Sequence, residues 1–271
     1  MASTLDLGSV QMWFDEFGGG DGTTTVLLHG GMANAGTWIM QMDALGAGRR
    51  LLLPDQRGHG HTADGGDVSY ELMTDDTIAF IEATGGGPVD LVGWSDGGDI
   101  GIHVALRRPD LVRKLVTIGS NFHHDGVIPA MLDSMVPDIK VDAAGETPDG
   151  VSDDMLRDMY AEMSPDGPEH WPVITAKLLE MWRTGPTLTV DDLATIDRPV
   201  LVMVGDDDAV YLQHTIALFE ALPQGQLAIV PGSSHLVPIE KADLVNRLIV
   251  DFLDDGSIVS MLPMRRAGLI P

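Results

Sequence analysis

Short, wholly apolar runs alternate along the chain with stretches whose apolar residues recur at helical spacing. TTTVLLHGG (23–31) predicts a buried strand entering a glycine turn, and RRLLLPDQRGHG (49–60) a second, stopped by Pro54 and a polar loop. In YELMTDDTIAFIEATGGG (70–87), Leu72, Ile78 and Ile81 fall on one helical face before the glycines end it. PVDLVGWS (88–95) predicts a third strand. GGDIGIHVALRRPDL (97–111) predicts a helix closed by Arg107 and Arg108 ahead of Pro109, and VRKLVTIGS (112–120) a fourth strand. Strands alternating with helices imply an α/β class with a mostly parallel sheet covered on both faces.

The rhythm breaks after the strand at 112–119. Residues 121–190 show no strand pattern. They hold Met131, Met135, Met155, Met159, Met163 and Met181, with Trp171 and Trp182, among many acids. A helical cap inserted into the sheet is the simplest account, and PDGPEHWP (165–172) reads as a loop that could move as a lid. Strands resume at RPVLVMVGD (198–206) and QLAIVPG (226–232), with helices around 213–222 and 240–254. The expected division is a core of 1–120 and 191–256, a cap of 121–190, and a tail of 257–271 with no assigned element. There is no internal repeat and no low-complexity linker.

Composition narrows this picture. A length of 271 residues suits one large α/β domain with an insertion. The absence of cysteine excludes disulfides and thiolate chemistry. The formal charge of −25, from 41 acids and 16 bases, repels phosphate backbones and argues against nucleic-acid binding. It has two further readings: proteome-wide acidity suited to high salt, which the four lysines fit, and steering of cationic ligands. No apolar run reaches the length that spans a bilayer, and MASTLDLGSV lacks a basic region followed by an apolar one. The expectation is a cytoplasmic protein with no membrane partner, a monomer or homodimer.

The chemistry centres on Gly93-Trp94-Ser95-Asp96-Gly97, a G-x-S-x-G motif between a predicted strand and a predicted helix. A nucleophile there needs a sharp, strained turn that projects its hydroxyl, and small residues on either side let neighbouring backbone approach. The helix beginning near Gly97 aims its amides and positive dipole end at the site. A serine also needs a base and an acid that orients the base, in the chain order serine, acid, histidine. VMVGDDDAV (202–210) ends a strand in three aspartates, and IVPGSSHLVPIE (229–240) puts His235 in a loop before the last helix. For an oxyanion, the Asp96 N–H is one expected donor. The other is Gly31, with Met32 as the near alternative.

With HGG (29–31), DQRGHG (55–60), GWSDGG (93–98), GDDD (205–208) and GSSH (232–235) in order, the chain resembles the α/β-hydrolase-fold serine hydrolases over nearly its whole length outside cap and tail. The resemblance implies that fold, a catalytic set of Ser95, Asp208 and His235, and no cofactor. Asp208 is selected over Asp206 and Asp207 by the family's spacing; the residues themselves show only a triple aspartate. The GWSDGG form is similar to that of the valacyclovir hydrolase-like (biphenyl hydrolase-like) branch. The implied activity is hydrolysis of a small-molecule ester, with amides and lactones as variants of the same chemistry. Carbon–carbon bond hydrolysis and cofactor-free perhydrolysis use the same residues, and a hydrolase-like binding protein with little turnover is the alternative of another class. Relatives that open epoxides or remove halides carry aspartate where Ser95 stands.

Several residues keep two readings. Asp96 either complements the helix dipole or receives a substrate ammonium. Met32, Trp94, Asp96, His123 and Trp182 are the expected substrate contacts, while the cap methionines and tryptophans serve cap packing or an adaptable apolar pocket. His29, Asp55, His59 and His61 match no zinc spacing and read as ties between loops. His123-His124-Asp125, where the cap begins, reads as solvated or as a hinge; no metal site is assigned.

Overall fold

The computed structural model describes residues 2–20, 22–134, 153–254 and 261–265. Its strands are β1 (Ser3–Asp6), β2 (Gln11–Gly18), β3 (Thr25–Leu28), β4 (Arg50–Pro54), β5 (Val89–Trp94), β6 (Val112–Ile118), β7 (Val200–Asp207) and β8 (Gly225–Ser234). They form one sheet in the order β1-β2-β4-β3-β5-β6-β7-β8. Its parallel part runs from β4 to β8, and β1 and β2 are antiparallel at one edge. This is the mostly parallel hydrolase-type sheet implied above, with one addition. The hairpin β1–β2 precedes the first strand read from the sequence. In QMWFDEFG the buried Met12 and Phe14 alternate with less buried neighbours, a pattern that Asp15 and Glu16 cut short.

The central strands are apolar because both faces are covered. Leu91 and Leu115 point to one core, with Tyr70, Phe80 and Leu218; Val92 and Val116 point to the other, with Trp38, Leu45 and Ile249. The helices are α1 (Ile39–Gly46), α2 (Tyr70–Ala83), α3 (Asp96–Arg107), α4 (Pro129–Ser134), α5 (Asp153–Met163), α6 (Trp171–Thr184), α7 (Val190–Leu193), α8 (Leu212–Ala221), α9 (Val237–Glu240) and α10 (Ala242–Asp254). α3 stops at Arg107, four residues before the sequence reading, because Pro109 begins a separate single turn. Between β6 and β7, helices are the only regular elements among the described residues; isolated bridges join His123 to Thr187 within this region and Val127 to Val210, just past β7. Met135 lies outside the described residues, as does most of the tail. The described part of the tail, 261–265, ends on Arg265, which donates to the carbonyls of Phe219, Glu220 and Leu222 at the C-terminal end of α8.

The DQRGHG loop is held by a buried ion pair. Arg57 pairs with Asp76 through Nε (2.6 Å) and Nη2 (2.8 Å), with 4% and 1% of the two side chains exposed. Ser9 donates to the same carboxylate at 2.7 Å. Removing one partner of so buried a pair strands the other's charge. Asp76→Ala is therefore expected to cost about 3–5 kcal/mol, read as a lower urea midpoint with an unchanged slope. A midpoint equal to that of the parent would show the pair to be dispensable.

Candidate active site

Five loops meet at the carboxyl ends of the parallel strands, where ligands bind in open α/β sheets. The turn after β5 carries Ser95 at φ 54° and ψ −124°, a left-handed conformation unusual for a residue with a side chain. Its own N–H is tied to the Ile118 carbonyl at 2.8 Å, which anchors the turn to β6. The turn is so tight that a Cβ on Gly97 would overlap the Leu28 carbonyl oxygen. That contact explains the second glycine of the motif.

The turn after β7 carries Asp208 and the loop after β8 carries His235. His235 Nδ1 donates to Asp208 Oδ1 at 2.7 Å. With Nδ1 as donor, Nε2 is left as the acceptor, the tautomer a general base requires. Asp208 also accepts from the Val210 N–H (3.1 Å) and the Gly205 N–H (3.3 Å), and its side chain is 1% exposed. Asp206 and Asp207 end β7 on exposed positions, and Asp206 instead accepts from the Ser233 N–H at 3.1 Å. Trp94 Nε1 donates to the His235 carbonyl at 2.9 Å, joining the nucleophile turn to the histidine loop.

Ser95 and His235 line one cavity of about 430 Å³, together with Gly30, Gly31, Trp94, Asp96, Asn121 and Trp182. The rest of the wall is largely apolar, with Met131, Leu132, Leu156 and Met159 from the helical segment and Ile39, Met40, Leu236 and Ile239 from the core. No arginine or lysine lines it among the described residues.

Asp96 stands in the first turn of α3, and it also lines the cavity. The residue is buried, and protein donors hold its carboxylate. Tyr70 Oη donates to Oδ1 at 2.8 Å, and Trp182 Nε1 donates to both oxygens at 3.0 and 2.9 Å. Burial pushes its pKa up, and the Trp182 and Tyr70 hydrogen bonds act against that push. Asp99, one turn further along α3, is pushed well above the usual carboxylate range by burial and by the Asp96 charge.

Two expected contacts stand elsewhere. Met32, at φ 57°, lines a smaller void with His59, Tyr160 and Trp171. His123 stacks on His124 (4.3 Å between ring centroids) and does not reach the large cavity. His123 bridges Thr187, and the His124 N–H donates to the Pro186 carbonyl, so the pair marks where the chain leaves and re-enters the sheet region. His29, Asp55, His59 and His61 do tie loops. Neutral His29 accepts from the Gln56 N–H (2.9 Å), burial taking its pKa down to about 3, and Asp55 accepts from the Ala35 and His61 amides (2.7 and 2.8 Å). Tyr70 and Asn121 were missed. Nothing near them in the chain signals the site, and only the packing of α2 and of the turn after β6 brings them to it.

The model of the alpha/beta hydrolase family matches residues 25–248. The chain belongs to that family. RutD of Caulobacter sp. (strain K31), named for carbamate hydrolysis, is 29% identical over 92% of this chain and 98% of its own length. The 2-hydroxy-6-oxo-6-phenylhexa-2,4-dienoate hydrolase of Burkholderia cepacia is 28% identical over 88% of this chain and 90% of its own. The crystal structure of the enol-lactonase from Burkholderia xenovorans LB400 superposes with a TM-score of 0.71 at 20% identity, covering 93% of this chain and all of that one. This alpha/beta hydrolase thus has relatives named for different bonds. Among the described residues, no helix is long and apolar enough to cross a membrane.

Proposed function

We propose that this hydrolase cleaves neutral, predominantly apolar small-molecule esters through an acyl-enzyme on Ser95. The observation that carries the reading is that His235, bonded to the buried Asp208, shares with Ser95 a large, largely apolar cavity whose described lining holds no arginine or lysine. His235 Nε2 takes the Ser95 proton as Oγ attacks the ester carbonyl. Asp208 keeps the imidazole in the required tautomer and balances the imidazolium that forms. The Gly31 and Asp96 amides receive the oxyanion, helped by the N-terminal dipole of α3. His235 then protonates the departing alcohol. Water, deprotonated by His235, attacks the acyl-enzyme; collapse of that intermediate releases the acid and restores Ser95. No step calls on a cofactor. The described residues between β6 and β7 that wall the cavity serve as a cap.

A second reading, carbon–carbon bond hydrolysis, is favoured by the relative named as a dienoate hydrolase. A dienoate brings a carboxylate into the site, where the wall offers the Asp96 carboxylate and, among the described residues, no arginine or lysine. An unpaired charge buried there is costly, so an ester lacking the carboxylate is the better substrate. The closeness of GWSDGG to the valacyclovir hydrolase-like branch adds little, since the Asp96 oxygens already accept from Tyr70 and Trp182.

Paired substrates test the reading. Phenyl hexanoate is expected to exceed the monophenyl ester of adipic acid in kcat/KM by at least about tenfold, the minimum that burying an unpaired carboxylate would impose. A preference for the adipate ester would sink the neutral-substrate reading. Stoichiometric labelling by a fluorophosphonate without ester turnover would instead favour the binding-protein alternative.

A further inference from the structure

One side chain of the helical segment touches both residues whose amides would receive the oxyanion. Trp182, in the last turns of α6, donates through Nε1 to both Asp96 oxygens at 3.0 and 2.9 Å. The six-membered edge of the same indole lies against Gly31 so closely that a Cβ at that position would overlap Trp182 Cζ2. The glycine is therefore required by the indole as much as by any substrate. The remaining donor to Asp96 is Tyr70 Oη at 2.8 Å, from the first residue of α2. The carboxylate is thus held between the first turn of α3, the start of α2 and the end of α6. A second tie seats α6 further along, where Asp64 takes Lys177 and, at 2.7 Å, His170 Nε2.

Asp96 follows directly on Ser95, whose backbone sits in a strained left-handed conformation. Such a conformation persists only where surrounding contacts over-determine it. A buried carboxylate must keep its donors, because losing them costs the desolvation of a charge. The Asp96 side chain is consequently pinned, and with it the direction of the Asp96 N–H. Gly31 lies against the indole edge and the Asp96 carboxylate, where a Cβ would overlap both Trp182 Cζ2 and Asp96 Oδ2.

We propose that Trp182 is a positioning residue. By holding Asp96 and roofing Gly31 it sets the spacing of the two amides, so that the oxyanion site is complete only when α6 is seated on the core. The inference rests on the acyl-enzyme reading above. It makes the cap part of the catalytic geometry rather than only a wall of the pocket.

Trp182→Phe keeps an aromatic roof over Gly31 and removes the N–H. With phenyl hexanoate, kcat is expected to fall by about tenfold, part of what losing a whole oxyanion donor costs, while KM stays within about threefold. An aryl trifluoromethyl ketone, which adds the serine to form an alkoxide in the oxyanion position, should lose affinity by the same factor as kcat/KM. Asp96→Ala combined with Trp182→Phe should be no slower than Asp96→Ala alone, since removing the carboxylate already removes the acceptor of the Trp182 N–H. A raised KM at unchanged kcat, or unchanged ketone affinity, would reduce Trp182 to a pocket wall and overturn the proposal. If Trp182→Phe does not fold, Tyr70→Phe removes the other donor and should show the same pattern of lowered kcat and weakened ketone binding; wild-type values there overturn the proposal equally. Ser95→Ala separates the two levels: full activity in that variant removes the serine reading itself, whereas loss there with wild-type kcat in Trp182→Phe removes only the positioning role.

Discussion

Ser95→Ala is expected to lower kcat for phenyl hexanoate by about 10⁶-fold, the scale of losing the nucleophile of a serine hydrolase. The expectation follows from the turn. Ser95 is held at φ 54° by a backbone bond to Ile118, on a turn that leaves Gly97 no room for a Cβ, and its side chain faces the cavity. Alanine tolerates that conformation no worse than serine does, so folding should be unaffected. The same variant should lose labelling by a fluorophosphonate, which the parent takes up at one equivalent per chain. A rate within tenfold of the parent would show that another group attacks the carbonyl.

The second large effect concerns the triple aspartate. Asp208→Asn is expected to lower kcat by about 10⁴-fold. The asparagine can still accept from the Gly205 amide with its oxygen in the Oδ2 place, but its NH₂ then takes the Oδ1 place and faces His235 Nδ1. The imidazole answers by accepting at Nδ1 and carrying its proton on Nε2, where it cannot take the serine proton. Asp207→Asn, at an exposed strand end, should stay within about threefold of the parent. Asp206→Asn loses only part of one bond to the Ser233 amide and should behave similarly. Comparable losses at Asp207 and Asp208 would overturn the assignment of the orienting acid.

Legibility varied along the chain for identifiable reasons. The parallel strands were readable because burial on both faces makes them continuous apolar runs, as in VDLVGW. The edge hairpin was not, since β1 is four residues long and largely exposed, and β2 changes from apolar to acidic midway. Ser95 and His235 were readable from motif and order. Asp208 needed the family's spacing, because three adjacent aspartates look alike until one is seen buried against the imidazole. Met32 follows Gly31 and His123 stands where the cap begins, yet Met32 lines a separate small void and His123 stacks on His124.

Local sequence by itself determined the chain order of strands and helices around the site and the tight turn that carries Ser95. Those depend on hydrophobic periodicity and on steric demands that act within a few residues. Tertiary structure alone decided what Asp96 does. Its charge could have faced water at a helix end, but Tyr70 and Trp182, 26 and 86 residues away in sequence, arrive with an O–H and an N–H and hold it inside. A buried carboxylate takes its role from its donors, and donors that far along the chain are chosen by packing.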